Sequence, residues 1–270
     1  MDFNPNIADI INLRNANAKA SDKGWARYAP AYILTNEDLH KIQEFMPAKC
    51  DNALTVAASG DHPLFCKLYG AKHVTTFDIT CNAKIITDIK IAAMQEGFDL
   101  QQYRTLLNNL YKSTNALSVH GMDRIIVHLP ANVQQYMIDA ANFVVPLDLF
   151  SSGVKIEDKT EKYTINAKEY EQLRSLVKEP FDFIWTDAAD LRVTENYDFI
   201  HLSNIADYMP WQTFGNVLQH LMRHTNVGGR IFADQQNTFN ASGLFEQVPK
   251  HLNNWELLQS GTMNVLQRVR

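Results

Sequence analysis

Short apolar runs alternate with amphipathic stretches along much of this chain, a pattern typical of α/β proteins. Residues 54–58 form an apolar run like that of a parallel strand buried on both faces. Residues 59–61 (SGD) interrupt the run, and Pro63 suits the first turn of a helix with an apolar face over residues 64–68. Residues 73–78 (HVTTFD) predict a second strand ending in a carboxylate. The unit is therefore strand, glycine turn, helix, strand and acid.

The same alternation resumes after a long interval. Further strands are predicted at residues 181–187, 197–203, 230–234, 255–259 and 265–269, the last two as a hairpin. Helical periodicity is clearest at residues 82–96 and after Pro210. Residues 98–180 carry mostly helical signals, with a polar, charged stretch at 151–163 that predicts an exposed loop.

The spacing of these elements predicts three parts. Roughly 80 residues separate the first strand–helix units from the third strand, too many for an ordinary connection. Residues 98–180 are therefore expected to be an inserted helical subdomain, or else a helical layer with no role in the site. Residues 1–50 form a predicted N-terminal arm or lid, and residues 51–97 and 181–270 the ligand-binding core. The aromatic stretch at 25–32 either packs on the core or covers the ligand.

Composition narrows the class of protein. The 270 residues are 46% apolar and 20% charged, as expected of a globular chain, and the net charge of −5 argues against a strongly basic nucleic-acid binder. Three cysteines without a CxxC pair fit a reducing cytoplasm and indicate no metal site. No apolar run approaches the ~20 residues that span a bilayer. We expect a cytoplasmic protein with a small-molecule or lipid acceptor; its oligomeric state is open.

The strand ends carry the candidate chemistry. Gly60 allows the backbone to approach a ligand, and a carboxylate at Asp78 can accept hydrogen bonds from both hydroxyls of a ribose. The first turn lacks GxGxxG, which disfavours NAD or FAD, and no P-loop is present. His220 and His224 are spaced as in the zinc motif HExxH, but the motif's glutamate is absent, so they are expected to lie on a packed or solvated helix face. His201 lies within a predicted strand and is expected to be a buried core residue.

Four segments in this order resemble the class I S-adenosylmethionine-dependent methyltransferase superfamily. They are AASGDHPL at 57–64, FDI at 77–79, TDAADL at 186–191 and HLSNIADY at 201–208. The resemblance implies an α/β fold, a seven-stranded, mostly parallel Rossmann-like sheet of methyltransferase type, here with an inserted helical subdomain. It also implies S-adenosylmethionine as the cofactor.

The resemblance assigns roles position by position. Ser59, Gly60 and Asp61 are expected to line the amino-acid end of the cofactor, Asp78 to hold the ribose and Ile79 to pack on the adenine. Asp187, with Ala188 beside it, would accept a hydrogen bond from the adenine amino group. Ser203 and Asn204 would lie where the transferred group meets the acceptor. The alternative for both aspartates is a strand-end carboxylate that faces water.

The reaction has fewer sequence signals. An acceptor that starts protonated needs a base, and the candidates are Asp207, ranked first, then Tyr208 and His201. Residues 77–94 also resemble the betaine-lipid family, which transfers the 3-amino-3-carboxypropyl arm of the same cofactor to diacylglycerol. That family usually carries Asp-Ile-Asn-Pro where this chain has DITC at 78–81. Methyl transfer is favoured; aminocarboxypropyl transfer and a non-catalytic cofactor-binding protein are the alternatives.

Overall fold

The computed structural model describes residues 3–16, 23–113, 115–143, 149–151, 164–234 and 240–270. In these residues seven strands form one sheet. They are β1 (Asn52–Val56), β2 (His73–Asp78), β3 (Asp182–Trp185), β4 (Tyr197–His201), β5 (Thr225–Asp234), β6 (Trp255–Gln259) and β7 (Met263–Arg268). Two-residue strands at Ala31–Tyr32 and Phe150–Ser151 form a separate parallel pair.

Helices cover both faces of the sheet. The helices before β2 are α1 (Ile7–Asn15), α2 (Lys23–Ala26), α3 (Lys41–Phe45) and α4 (Asp61–Leu68). Those between β2 and β3 are α5 (Cys81–Gln95), α6 (Leu100–Lys112), α7 (Met122–Ile125), α8 (Ala131–Ala141) and α9 (Ala167–Leu176). The last two are α10 (Trp211–Arg223) and α11 (Asn240–His251).

The strands lie in the order β3-β2-β1-β4-β5-β7-β6. Neighbouring strands from β3 to β5 are parallel, and β7 pairs antiparallel with both β5 and β6. The order changes direction at β1, so a crevice opens between the carboxyl ends of β1 and β4. This arrangement confirms the predicted fold class, a mostly parallel sheet of methyltransferase type closed by a reversed strand.

Local capping residues explain where several helices begin. The Thr80 hydroxyl accepts a hydrogen bond from Asn82 N–H at the start of α5. Asp99 with Gln102 and Asn166 with Glu169 form reciprocal capping boxes at α6 and α9. Between β3 and β4 the described chain makes only a turn of 3₁₀ helix (Ala188–Asp190).

In the sequence, Thr35 with Asp38 resembles a capping pair and predicts a helix that runs to about Met46. This prediction is wrong for the first half of the segment. Only Lys41–Phe45 is helical, because the residues before it are held by other parts of the core. Thr35 N–H donates to the Asp61 carboxylate (2.9 Å), and the Glu37 carboxylate contacts the His62 ring (3.1 Å). These contacts draw the segment over the end of the sheet in a non-helical conformation.

The described residues between 98 and 180 pack directly on the rest of the described chain. Buried side chains of α6, α8 and α9 belong to the same apolar cluster as those of α4, α5 and the N-terminal helix. The short strand at Phe150–Ser151 pairs with the N-terminal segment at Ala31–Tyr32. The division into arm, core and insertion stays a prediction, and most of the predicted loop at 151–163 lies outside the described residues. In the part of the chain that is described, no helix has the length and apolarity to cross a bilayer.

Candidate functional site

A cavity of about 700 Å³ opens at the carboxyl ends of β1, β2 and β4. One wall comes from the N-terminal segment between Ala26 and Glu37. Eight of the residues that sequence analysis selected line it: Ser59, Asp78, Ile79, Asp187, Ala188, Ser203, Asn204 and Tyr208. The position is the switch point at which open α/β sheets bind ligands. Four selected residues, Gly60, Asp61, His201 and Asp207, do not line the cavity.

Gly60 serves packing in the structure, and its backbone does not line the cavity. Its φ of +82° is in the left-handed region, and a Cβ there would lie 2.9 Å from Thr87 Cα and 2.8 Å from Thr87 Oγ1. The glycine therefore lets the turn after β1 pass directly over α5. The expected close approach is present, but its partner is a helix of this chain.

Asp61 also faces the protein interior. It is 3% exposed, and its carboxylate accepts hydrogen bonds from Lys90, Ser59 and the backbone of Thr35. Lys90 is itself fully buried in α5. Burying one charge here requires the other, so Asp61 and Lys90 form a structural ion pair beneath the cavity.

Asp78 ends β2 at the cavity floor, where sequence analysis expected a ribose-binding carboxylate. Its Oδ2 accepts from Ala58 N–H (2.9 Å) and its Oδ1 from Thr80 N–H (3.0 Å). Desolvation raises the pKa of Asp78 to about 6, although these backbone N–H groups act in the opposite direction. Each carboxylate oxygen can accept further hydrogen bonds, so both remain able to bind a diol.

Asp187 follows β3 on the neighbouring side of the same floor. Its Oδ1 accepts from Ala189 N–H (2.9 Å), which starts the 3₁₀ turn. Ile79, next to Asp78 in the chain, also lines the cavity, and its carbonyl accepts from the Trp185 indole N–H (2.8 Å). An apolar side chain in a cavity that also holds two carboxylate acceptors suits a planar heterocycle that carries an amino group.

Ser203 and Asn204 follow β4, and Ser203 contacts Glu37, a residue that sequence analysis missed. The backbone of Ser203 has a φ of +52°, and its hydroxyl donates to the Glu37 carboxylate in a short hydrogen bond. Ala58, after the adjacent strand β1, also has a positive φ of +47°. Such conformations cost roughly 1–3 kcal/mol each and concentrate at functional sites.

Glu37 reaches the cavity floor from the N-terminal segment and is 6% exposed. Burial alone would raise the pKa of Glu37, but the adjacent His62 ring and the Ser203 hydroxyl lower it to about 2. Conversely, burial disfavours the charged form of His62, and Glu37 nevertheless raises the pKa of that imidazole. The two side chains form a buried, charge-complementary pair.

The predicted catalytic residues separate in the structure. Tyr208 lies at the cavity rim with 74% of its surface exposed, beside the half-exposed Tyr32. Asp207, ranked first as a base, is outside the lining. His201, interpreted from its strand as a core histidine, is fully buried next to Glu37 and His62. The local pattern around Glu37 indicated a helix, so nothing in the sequence marked it as a site residue.

The charged side chains that line the cavity are all acidic. Glu37, Asp78 and Asp187 contribute three carboxylates, and no described lining residue is Lys, Arg or His. The nearby Arg27 guanidinium stacks on the Trp185 ring, 3.8 Å from its centroid, and is not part of the lining. The cavity therefore favours a ligand with positive charge and hydrogen-bond donors, and it disfavours one with phosphate groups.

Comparisons with known proteins concern the fold. No protein-family model matches the chain, and no curated protein matches it. Solved structures that match include ribosomal protein L11 methylase from Lactobacillus delbrueckii subsp. bulgaricus, with 11% identity and a TM-score of 0.42 over 86% of this chain and 77% of that one. Precorrin 8w decarboxylase from Methanobacterium thermoautotrophicum matches with 10% identity and a TM-score of 0.43 over 89% and 95%.

A third match is magnesium protoporphyrin IX methyltransferase from Synechocystis PCC 6803, solved with bound S-adenosylmethionine. It has 10% identity and a TM-score of 0.39, over 99% of this chain and 100% of that one. These proteins differ in the reactions their names describe. Similarity at this level does not identify an activity, because one fold supports many chemistries.

Proposed function

We propose that this protein is an S-adenosylmethionine-dependent transferase that moves a methyl group to a small-molecule or lipid acceptor. The observation that carries the proposal is the acidic cavity at the switch point of the sheet. Two of its carboxylates, Asp78 and Asp187, stand at the ends of adjacent strands, and no described lining residue is basic. This combination suits a cationic nucleoside.

Charge separates this cofactor from the other nucleotides that α/β sheets bind. The sulfonium and ammonium groups of S-adenosylmethionine are positive, whereas NAD and FAD carry a pyrophosphate that needs N–H donors or cations. Three carboxylates in one cavity would repel that pyrophosphate. The absence of GxGxxG from the first turn agrees with this interpretation.

The lining residues support a role for each part of the proposed cofactor. Asp78 would accept from the ribose hydroxyls, Ile79 would pack on the adenine, and Asp187 with Ala188 would receive the adenine amino group. Ser59, after β1, would line the amino-acid end of the cofactor, and Ser203 and Asn204, after β4, would lie where the transferred group meets the acceptor. A cavity of about 700 Å³ lies within the range of small-molecule sites, ~300–1,000 Å³.

The sulfonium is already activated, so the protein's task is alignment. The acceptor's lone pair attacks the methyl carbon as the bond from that carbon to sulfur breaks, which yields S-adenosylhomocysteine. A protonated acceptor also loses its proton to a base or to water. Holding the two reactants in line and excluding water supplies most of the rate enhancement. Tyr32 and Tyr208 at the rim would contact the acceptor.

The aminocarboxypropyl alternative uses the same cofactor and differs in which carbon faces the acceptor. The comparisons add no support for it. The by-product distinguishes the two reactions, since methyl transfer leaves S-adenosylhomocysteine and aminocarboxypropyl transfer leaves methylthioadenosine. Mass spectrometry of the nucleoside products after incubation with an acceptor panel therefore decides between them.

Calorimetric titration tests the cofactor directly. We expect wild-type protein to bind S-adenosylmethionine, Asp78→Ala to lose most of that affinity, and neither to bind NAD. Equal binding by wild type and variant would remove Asp78 from the site. Tight binding of NAD in place of the sulfonium cofactor would overturn the proposal. Cofactor binding without turnover of any acceptor would instead support the alternative function, a non-catalytic protein that binds S-adenosylmethionine.

A further inference from the structure

Three side chains of types that can ligate a metal ion lie close together beneath the cavity, and they come from separate parts of the chain. Glu37 comes from the N-terminal segment, His62 from α4 and His201 from the end of β4. One ligand atom of each lies within 4.8 Å of those of the other two. All three residues are buried, with exposed fractions of 6%, 1% and 0%. The cluster contains none of the residues proposed to hold the nucleoside.

Hydrogen bonding around His201 favours one tautomer. The Thr55 hydroxyl lies 3.2 Å from the Val56 carbonyl, to which it can donate, and its oxygen lies 3.3 Å from His201 Nδ1. When Thr55 donates to that carbonyl, Nδ1 of the neutral ring carries the hydrogen and Nε2 presents a lone pair. No described group forms a hydrogen bond with that Nε2.

Two carboxylates lie near this lone pair. One of them, Glu37, is paired with the His62 ring, and a bound metal ion would displace the proton that joins them. The Asp234 carboxylate lies 3.8 Å from His201 Nε2, and Glu37 is in the same cluster. A lone pair that faces carboxylates in a buried space is electrostatically unfavourable unless a cation lies between them. A divalent ion would remove this repulsion.

The His62 imidazole lies at a distance from Glu37 that suits two ligands of one metal ion. His62 Nε2 lies 3.1 Å from Glu37 Oε2, and its Nδ1 has no described hydrogen-bond partner. Two adjacent ligands on one metal ion, each at about 2.1 Å, are separated by about 3.0–3.4 Å. The His62–Glu37 separation already falls in this range. The 3.8 Å between His201 and Asp234 requires a closure of a few tenths of an ångström, which side-chain rotation can supply.

We propose that Glu37, His62 and His201 bind one divalent transition-metal ion of the zinc class, with Asp234 as the neighbouring carboxylate. Two imidazoles select such an ion over Mg²⁺ or Ca²⁺, which prefer oxygen ligands. Glu37 lines the cavity, whereas His62 and His201 lie behind it. The open coordination position therefore faces the cavity, where an anionic oxygen or sulfur of a bound ligand would complete it. Thr55 is a positioning residue that orients the His201 ring.

Metal binding is measured on the full-length protein without any cofactor, so its result is independent of the proposed transferase activity. Protein stripped with a chelator is titrated with ZnCl₂ by calorimetry and with CoCl₂ by visible absorption. We expect one ion per chain at micromolar or tighter affinity and an absorption band from Co²⁺ bound through nitrogen. Absence of binding by folded wild-type protein overturns the proposal, as does a Co²⁺ spectrum of the hydrated ion alone.

Variants locate the ion. Glu37→Gln and His201→Ala should weaken Zn²⁺ binding by at least about 100-fold, and Thr55→Val by about 10–100-fold, since it removes only an outer hydrogen bond. The matched control is the double variant His220→Ala/His224→Ala, which removes a second histidine pair, with ring centroids 4.9 Å apart, outside the cavity. This control should bind as wild type does. If His201→Ala fails to fold, Glu37→Gln and Thr55→Val decide; full affinity in both, or loss in the control, contradicts the assignment.

Discussion

The Asp78 carboxylate accepts a hydrogen bond from the backbone N–H of Ala58 (2.9 Å), which joins the ends of two adjacent parallel strands. Ala58 makes this contact with a positive φ of +47°. The bond positions the carboxylate on the cavity floor and holds the turn after β1 in its strained conformation. The two strand ends therefore form one rigid unit on which a nucleoside can lie.

Acidification should weaken S-adenosylmethionine binding through Asp78. Burial raises the pKa of this carboxyl to about 6, and the ionised form is the better acceptor for ribose hydroxyls. The affinity should therefore rise between pH 5 and pH 7 by roughly tenfold and then level off. Calorimetric titrations across this range test the profile. Asp78→Asn should bind weakly at every pH, and a variant that keeps the wild-type slope would assign the titration to another group.

The opposite linkage applies to the empty protein. Because the folded-state pKa of Asp78 lies above its unfolded value, the folded protein binds the proton more tightly than the unfolded chain. The contribution of this group to stability is present below the unfolded pKa and is lost as pH rises through about 6. Asp78→Asn should remove this component from the pH dependence of urea unfolding.

Asp187 and Asp207 should differ in their effect on the cofactor. Asp187 lines the cavity at the end of β3, whereas Asp207 does not line it. Asp187→Ala should weaken S-adenosylmethionine binding by about 5–50-fold, as expected for loss of one or two hydrogen bonds. Asp207→Ala should change the affinity by less than about twofold. Equal losses in the two variants would show that the cofactor lies closer to Asp207 than we propose.

Replacing Gly60 should destabilise the fold. An alanine Cβ would meet Thr87 of α5 at 2.8–2.9 Å, in a backbone conformation with φ of +82°. We expect Gly60→Ala to lower the free energy of unfolding by about 2–5 kcal/mol, the sum of a left-handed backbone and an overpacked contact. Gly70→Ala is the control, since Gly70 also has a positive φ but its Cβ would meet nothing within 4 Å.

Urea unfolding of both glycine variants separates the two contributions. Gly70→Ala should cost only about 1–2 kcal/mol, the backbone part. Similar losses in the two variants would mean that contact with α5 does not matter and that Gly60 is required for its φ alone.

The buried Lys90–Asp61 pair should behave as a unit. Lys90→Met removes a fully buried cation and leaves the Asp61 carboxylate without it, which should cost about 3–5 kcal/mol of unfolding free energy. The double variant Lys90→Met/Asp61→Asn removes both charges and keeps an acceptor for Thr35 N–H, so it should recover part of that loss. A double variant no more stable than Lys90→Met would show that the charges do not interact.

Local patterns in the sequence were sufficient to predict the strands of the sheet. Apolar runs and a proline at a helix start act over a few residues, and the structure confirms the seven strands that the runs predict. The strand-end residues Asp78, Ile79 and Asp187 were also found, because parallel strands bring their carboxyl ends to one edge of a sheet. What the sequence determined by itself was the fold class and one side of the cavity.

Only the tertiary structure decided which residues form the other side of the cavity. Glu37 and His62 are 25 positions apart, and Glu37 is 166 positions from Ser203, yet all three meet beneath the cavity. No local period encodes such contacts, because they arise when the N-terminal segment folds over the sheet. Folding likewise turned Asp61 toward Lys90 and placed Asp207 outside the cavity. A side chain's direction depends on the charges it meets after packing, which its neighbours in sequence do not show.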